Sequence, residues 1–338
     1  MQIQYFNNLR ATACFLVLLT HSAMPATDNS YGVYMVLFSV IASPSSELFV
    51  TISSCLLAPT KQDMFSFYKK RFGKLILPFF FWSVVVLAIS FLKQEINISQ
   101  VIYKFLLFPI KPTHGVYWFV YTICGLYLII PIISPWLLNA KKREIQFLLL
   151  LWSTTLIFPY LNILFGKEIY VIKGDYYFIL SYLGGFVGFL LLGVYLRKYP
   201  IVFKSKVMSF FIISCILIIA ILPLLIGYLY NRDFLTVVEN NLSLTSALFV
   251  VAIFCFYQNF KLPKILEHIF NDIAKYSYGI YLIHILVIRD GVWLILKGNR
   301  LPHPLIETPL IAIVSLILCY IIVLLISKLP KSRYVIGV

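Results

Sequence analysis

The sequence consists largely of apolar stretches that are long enough to cross a lipid bilayer as helices. A helix needs about 17–25 apolar residues to span a hydrocarbon core of about 30 Å. Because lipid offers no partner for unpaired backbone polar groups, stretches of this length cross it as helices. The 338-residue sequence therefore predicts an all-α, polytopic membrane protein with about ten transmembrane helices. The predicted spans are 8–24, 32–57, 75–92, 116–138, 146–163, 177–196, 207–229, 242–257, 276–296 and 304–327.

The positively charged residues predict how these helices are oriented. An even number of spans puts both termini on one side of the membrane. With a cytoplasmic N terminus, nineteen of the 28 Lys and Arg residues fall in inner segments, eight fall in outer loops, and Arg289 lies within a span. This bias follows the positive-inside rule, so we expect cytoplasmic N and C termini. Topology then explains most of the net charge of +15, with membrane lipid as a secondary partner and no nucleic-acid partner.

The rest of the composition indicates one integral domain over residues 1–338. No polar linker separates the spans. The six cysteines fall within predicted spans, without a C-x-x-C pair or a histidine at metal-ligand spacing, so they predict neither disulfides nor a metal site. The longest outer connection, 93–115, holds an apolar patch from Val101 to Ile110. That patch is too short to span and suits an interfacial or re-entrant segment.

Two ionisable residues in the first span are the strongest functional signal. Arg10 and His21 are eleven residues apart, close to three helical turns, so both side chains project from one face. They are separated by about 16 Å along the helix axis. Ionisable groups inside a membrane are costly and are functional candidates by default. His21 has the side chain of a general base, although a hydrogen bond to a neighbouring helix would also explain it.

Three further charged residues are candidates for the same site. Glu47, in the second span, is expected at nearly the depth of His21, where its carboxylate could orient the imidazole. A structural salt bridge between Glu47 and Arg10 is the alternative. Arg71 and Lys74 lie one turn apart at the cytoplasmic end of the third span and suit a phosphate clamp. Basic residues at that position are also a common topology signal.

Aromatic and histidine residues near the outer ends of two later spans could contribute to a cavity. His114 and Trp118 mark the outer start of the fourth span and are candidates for substrate contact. Aromatic residues also collect at membrane interfaces without any catalytic reason. Tyr278, Tyr281 and His284 recur every three residues in the ninth span, which predicts one polar stripe on that helix.

The order and spacing of these residues resemble the acyltransferase-three family of integral membrane acyltransferases, over nearly the whole chain. Two positions differ from the family pattern: Ser54 stands where a glycine is usual, and Lys74 stands where a second arginine is common. The matching motifs are Arg10 with His21, the segment Glu47 to Ser54, Arg71 with Lys74 and Pro78, Trp118 and Phe119 leading to Tyr127 and Pro131, Tyr281 with His284, and the tail from Pro330 to Gly337.

The resemblance implies transfer of an acyl group, usually acetyl from cytoplasmic acetyl-CoA, without a metal. The implied acceptor is a hydroxyl of a cell-envelope or exported polysaccharide, or of a lipid-linked glycan precursor. In this hypothesis His21 is the base or acyl relay and Glu47 orients it. Arg10 steadies the donor or an acyl-carrying state, while Arg71 and Lys74 hold the phosphates of CoA. Lysine keeps the charge at position 74 but loses bidentate geometry.

The remaining candidates, Trp118, His114, Tyr281 and His284, are expected to contact the acceptor. The implied location is the bacterial inner membrane. One alternative from a different class stays open, namely a non-catalytic membrane exporter or flippase of a polysaccharide. Some relatives stand in polysaccharide export loci, and a bundle of this kind could form a path.

Overall fold

The structure, a computed structural model, describes residues 4–23, 37–38, 40–165, 180, 183–230, 241–296, 301 and 303–337. Within these residues, helices and no strands are present, as the sequence predicted. A 3₁₀ turn (Gly115–Tyr117) precedes α5, and a π-helical segment (Leu286–Val292) joins α10 to α11. The helices are α1 (Gln4–Ala23), α2 (Ser45–Leu57), α3 (Met64–Leu92), α4 (Ile98–Leu106), α5 (Trp118–Asn139), α6 (Lys142–Phe165), α7 (Phe186–Lys198), α8 (Lys206–Tyr230), α9 (Leu244–Asn259), α10 (Lys264–Ile285), α11 (Trp293–Leu296), α12 (Pro304–Ser327) and α13 (Arg333–Ile336).

Six helical segments among the described residues are long and apolar enough to cross a membrane. The apolar helix Leu244–Asn259 is shorter. Each of the ten predicted spans overlaps a helix, but a count of ten crossings and the cytoplasmic termini remain predictions. Residues 24, 32–36, 39, 177–179 and 181–182 of those spans lie outside the described residues. The six segments are Val40–Leu57, Met64–Leu92, Gly115–Asn139, Lys206–Pro223, Lys264–Leu296 and Pro304–Ser327.

Helix α3 begins well before the predicted start of its span at residue 75. The carboxylate of Asp63 accepts a hydrogen bond from the backbone N–H of Ser66, 3.0 Å away, and so caps the helix. The same bond lowers the pKa of Asp63. Hydropathy marks where apolar residues begin, whereas the cap sets where the helix begins. Arg71 and Lys74 therefore lie on helical backbone rather than in a loop.

The first helix lies inside the bundle, packed against α2, α9, α10 and α12. Polar side chains fix it to two of these neighbours. The amides of Gln4 and Asn7 both donate to Oδ1 of Asn271 on α10, at 2.7 and 2.8 Å. The hydroxyls of Thr12 and Tyr257, on α9, lie 2.7 Å apart. The Arg10–His21 stripe is thus carried by a helix that protein surrounds, as expected for ionisable groups in a membrane.

Helices α2 and α7 approach each other at Gly193. A Cβ atom added there would lie 1.9 Å from Oγ of Ser54 and 2.3 Å from the carbonyl oxygen of Thr51. The Cys55 thiol donates to the carbonyl oxygen of Gly193 at 3.0 Å. Small residues allow such backbone contact between membrane helices. This contact positions α2 against α7. The side chain of Ser54 faces α7 at the same point.

The tail after α12 folds back onto the bundle. Helix α13 packs against α3, α10 and α12, and the indole N–H of Trp82 donates to the carbonyl oxygen of Val335 at 2.9 Å. Gly337 ends α13 with a left-handed φ of +75°. A Cβ atom there would lie 2.7 Å from Cδ1 of Tyr278. Glycine is favoured at this position both by its conformation and by the close contact.

The connection between α3 and α5 contains the short helix α4. Asn97 and Gln100 form a reciprocal capping box at its start. None of its residues is buried, and its apolar side chains, such as Ile98 and Leu106, are exposed. An exposed apolar surface of this kind suits an interfacial helix, and the interfacial or re-entrant position of Val101 to Ile110 stays a prediction.

Candidate active site

Helix α1 places Arg10 and His21 on two different cavities. A cavity of about 280 Å³, here called the basic cavity, is lined by Arg10. A second of about 340 Å³, here called the hydroxyl cavity, is lined by His21. Phe49, Phe119 and Tyr281 line both cavities. The two ionisable groups of one helical stripe therefore face separate but adjoining spaces.

Four cations line the basic cavity: Arg10, Arg71, Lys74 and Lys275. None of the described residues that line it is acidic. The guanidinium carbon of Arg71 lies 5.7 Å from the ring centroid of Phe67. The Nε–H of Arg71 is buried and has no hydrogen-bond partner within the described part of the chain. The lining has the chemistry of a polyanion site, and it brings together three of the residues that the sequence proposed for the donor.

Lys275 is the cation that the sequence interpretation missed, because it was counted only as an inner-loop charge. A signal was available. Lys275, Tyr278 and Tyr281 follow one another every three residues on α10, so they share a face, and all three line the basic cavity. The polar stripe of Tyr278, Tyr281 and His284 therefore begins one helical turn earlier, at Lys275.

The hydroxyl cavity is lined by His21, by small polar side chains and by apolar and aromatic side chains. Oγ of Ser246 donates to Oγ of Ser43 at 3.1 Å, which fixes one of these hydroxyl groups. Trp118 supplies an aromatic face to this cavity, and its contact with a substrate stays a prediction. Hydroxyl groups with an aromatic face suit a polar ligand rich in hydroxyls. The polar lining residues other than His21 are Thr20, Ser43, Ser45, Ser46, Asn241 and Tyr281.

The rings of His284 and His21 lie side by side, and a contact of His284 Nδ1 indicates which of its two nitrogens donates. The two ring centroids are 5.0 Å apart, and the His284 ring stacks on Tyr281 at 5.5 Å. Nδ1 of His284 contacts the backbone carbonyl oxygen of Tyr281. Because a carbonyl oxygen only accepts, Nδ1 is the donor in this contact, and Nε2 of the neutral ring is then the acceptor. That Nε2 atom is buried and has no hydrogen-bond partner among the residues described.

Glu47 is fully buried in the first turn of α2. Neither of its carboxylate oxygens has a hydrogen-bond partner in the described ranges, so the structure shows no salt bridge to Arg10 and no hydrogen bond to His21. The N-terminal end of a helix favours a negative charge, but an unpaired buried carboxylate is still costly. Its neighbours Ser45 and Ser46 line the hydroxyl cavity. Glu47 therefore lies close to that cavity, with a carboxyl group that has no hydrogen-bond partner among the described residues.

His114 has a local structural role. Its Nδ1 accepts a hydrogen bond from the backbone N–H of Val116 at 3.4 Å and caps the 3₁₀ turn before α5. Burial, followed by the positive charges of Arg289 and Lys104, lowers its pKa. His114 is not among the described residues that line either cavity, so its contact with substrate stays a prediction.

The described residues contain no cluster of three or more histidine, cysteine, aspartate or glutamate side chains that could hold a metal ion. All six cysteines carry free thiols. Within the described part of the chain, the side chains that line the two cavities carry imidazole, guanidinium, amine, amide and hydroxyl groups.

Comparison with protein families gives a match to the acyltransferase domain model Acyl_transf_3 over residues 3–324. The chain belongs to the acyltransferase-three family. Searches of curated proteins and of solved structures gave no match. Family membership and the apolar helices together make the protein a multi-pass membrane acyltransferase. The acyltransferase-three match includes Arg10, His21, Glu47 and both cavities except for Gly337.

Proposed function

We propose that this acyltransferase moves an acyl group, in the first place acetyl, from cytoplasmic acyl-CoA to a hydroxyl of a glycan. The proposed acceptor is a cell-envelope or exported polysaccharide, or its lipid-linked precursor, at the bacterial cell membrane. One observation carries the proposal: Arg10 and His21 share a face of α1 but line a basic cavity and a hydroxyl cavity. An anionic donor and a neutral, hydroxyl-bearing acceptor would each meet complementary chemistry.

The basic cavity supports binding of the CoA phosphates. Arg71 offers a planar guanidinium that can bind phosphate through two N–H groups, and Lys74 adds a point charge. Lys275 and Arg10 line the same space and extend the positive surface. Because the lining carries no acidic side chain among the described residues, no internal counter-ion competes with the donor.

The proposed reaction uses His21 as a general base. Its imidazole takes the proton of the acceptor hydroxyl, and the oxygen attacks the carbonyl carbon of the thioester. The carbon–oxygen ester bond forms and the carbon–sulfur bond breaks. CoA leaves as a thiolate and takes the proton from the His21 imidazolium. Protons and electrons balance without a further reactant.

The other candidates support His21 or the acceptor. The His284 ring lies beside His21 and has a buried Nε2 atom without a hydrogen-bond partner among the described residues, and the buried carboxyl group of Glu47 likewise has none there. Both could stabilise a protonated His21 during the reaction. We assign Trp118 and Tyr281 to the walls that contact the sugar. His114 is kept as an outer contact, with its capping bond as the alternative role.

The proposal is tested with the full chain purified and reconstituted in phospholipid vesicles. Labelled acetyl-CoA is supplied with glycolipid extracted from the envelope of cells that lack the gene. We expect label in the glycan fraction with wild-type protein and a loss of at least about 100-fold for His21→Ala. Ser22→Ala, on the residue that follows His21 in α1 but lies outside the described lining of both cavities, is the matched control and keeps most of the activity.

A different result would contradict the proposal that the protein is an enzyme. If wild type transfers no more label than His21→Ala, while the glycan still accumulates on the far side of the membrane in cells that carry the gene, the protein is an exporter or flippase. Mass spectrometry of envelope glycans from cells with and without the gene identifies the acyl group and the sugar that receives it.

A further inference from the structure

Three aromatic rings form a partition between the two cavities. Phe49 on α2, Phe119 on α5 and Tyr281 on α10 line both spaces. The ring centroids of Phe49 and Phe119 are 6.0 Å apart, and those of Phe119 and Tyr281 are 5.9 Å apart. Aromatic rings at these separations are in contact. Phe119 is the central member, because it touches both of the others.

The three rings differ in the contacts that hold them in place. The Tyr281 hydroxyl donates to the carbonyl oxygen of Val116 at 2.6 Å, and the same ring stacks on His284. Tyr281 is therefore anchored at both its edge and its face. The side chains of Phe49 and Phe119 have no polar atom that could anchor them, and both residues are only partly buried. An opening between the cavities would arise by rotation of these two phenylalanine rings.

The three rings lie between the basic cavity and His21, on the path that the acyl group must take in the proposed reaction. Arg10 and His21 are about 16 Å apart along α1, one on each side of the partition. A donor whose phosphates are held in the basic cavity must bring its acyl carbonyl past the rings before His21 can act. The interior of a protein is close-packed, so each added methylene group needs space that the rings must give up.

We propose that Phe49 and Phe119 determine acyl-chain length, so that the donor substrates are short-chain acyl thioesters such as acetyl-CoA. This inference rests on the proposed acyl transfer from CoA and adds the residues that select among acyl donors. The reaction itself is unchanged: the thioester carbon–sulfur bond breaks, the ester bond to the acceptor oxygen forms, and CoA leaves as the thiol. The rings decide which acyl groups reach the acceptor oxygen.

The test uses the full chain in phospholipid vesicles with acetyl-, propionyl-, butyryl- and hexanoyl-CoA as donors. The acceptor is the envelope glycolipid extract from cells that lack the gene. Released CoA thiol gives kcat/KM for each donor, and mass spectrometry identifies the acyl group on the product. The variants are Phe119→Ala and Phe49→Ala, with Phe119→Leu as a milder change that removes the ring but keeps more of the volume.

Phe79→Ala is the matched control. Phe79 is a buried ring on α3 that packs against Phe108 and Tyr117, and it is outside the described lining of both cavities. Its truncation removes the same group from the protein interior without touching the partition. The thermal midpoint of each variant identifies those that fold.

With wild type and Phe79→Ala, we expect kcat/KM to fall by about tenfold or more with each added methylene group. Truncation at position 119 or 49 should raise the ratio of hexanoyl to acetyl transfer by at least about tenfold. The inference is overturned if wild type already uses hexanoyl-CoA as well as acetyl-CoA, or if folded ring variants keep the wild-type ratio. Absence of transfer from every donor by wild type would instead remove the proposed function on which it rests.

Discussion

The imidazole rings of His21 and His284 lie 5.0 Å apart between centroids, although one residue is on α1 and the other on α10. The contact with the Tyr281 carbonyl leaves His284 with an Nε2 atom that accepts hydrogen bonds. A fixed acceptor beside the proposed base would stabilise the protonated state that the base enters during the reaction, as carboxylates do beside catalytic histidines.

The first prediction concerns this pair. His284→Leu should lower kcat for acyl transfer by about 100-fold with little change in KM for acyl-CoA, because His284 is outside the described lining of the basic cavity. His284→Gln keeps an accepting oxygen and should retain more activity than His284→Leu. Steady-state kinetics in vesicles measure both. Equal losses in the two variants, at equal thermal midpoints, would show that the accepting atom is irrelevant.

The second prediction concerns donor binding. The double variant Arg71→Gln with Lys74→Gln should raise KM for acyl-CoA by at least about tenfold while changing kcat little, since hydrogen bonds to charged groups contribute about 1.5–3 kcal/mol each. The matched control is Lys69→Gln with Lys70→Gln. These two residues are exposed, precede the pair on α3 and line neither cavity among the described residues.

Both double variants remove two positive charges from the same helix end. If Arg71 and Lys74 only direct membrane topology, the two variants should reduce the amount of correctly inserted protein equally and leave KM unchanged in the protein that remains. A rise in KM confined to the Arg71 and Lys74 variant identifies a donor site.

The third prediction concerns the contact between α2 and α7. Gly193→Ala should lower the free energy of unfolding by about 1–3 kcal/mol, because the new Cβ would overlap a backbone carbonyl that cannot move without shifting α2. Gly125→Ala is the control, since a Cβ there meets nothing within 4 Å. Thermal unfolding in detergent compares the two. Adding Ser54→Gly to Gly193→Ala should restore part of the loss by removing the hydroxyl contact; simple additivity would contradict this account.

The fourth prediction concerns the pH dependence of stability. Burial and the charges of Arg289 and Lys104 hold the pKa of His114 below its ordinary value of 6.5, although Asp290 and Glu95 act in the opposite direction. The folded state then binds fewer protons than the unfolded state. The contribution of His114 to stability is complete above about pH 6.5 and is lost as the pH falls below that value.

His114→Asn tests this dependence, because asparagine can still cap the 3₁₀ turn but does not titrate. The thermal midpoint of wild type should fall further than that of the variant between about pH 7.5 and about pH 5.5. His21 and His284 are present in both proteins, so the difference between the two slopes reports the removal of the imidazole at position 114, including its charge effect on its neighbours. Parallel slopes would show that His114 titrates normally.

The sequence predicted the helices well, because lipid leaves a membrane-spanning backbone few other options. It also predicted the Arg10–His21 stripe, which depends only on helical periodicity. It did not predict that Arg10 and His21 line different cavities. That division depends on Phe49, Phe119 and Tyr281, which meet only because three helices pack together.

Other differences have the same origin. The accepting state of His284 depends on one contact with a backbone carbonyl. Glu47 has no hydrogen-bond partner among the described residues because of how α2 packs against its neighbours. The capping bond of His114 depends on a 3₁₀ turn that has no hydropathy signal. Lys275 was the exception, since its helical spacing from Tyr278 and Tyr281 could have been recognised from the sequence alone.

The tail that carries Gly337 also has a consequence for biosynthesis. Gly337 and Arg10 line the same cavity, although they lie near opposite ends of the described chain. A nascent chain that has not yet folded its tail lacks this part of the lining of the basic cavity, so the cavity reaches its final form only when α13 packs against α3.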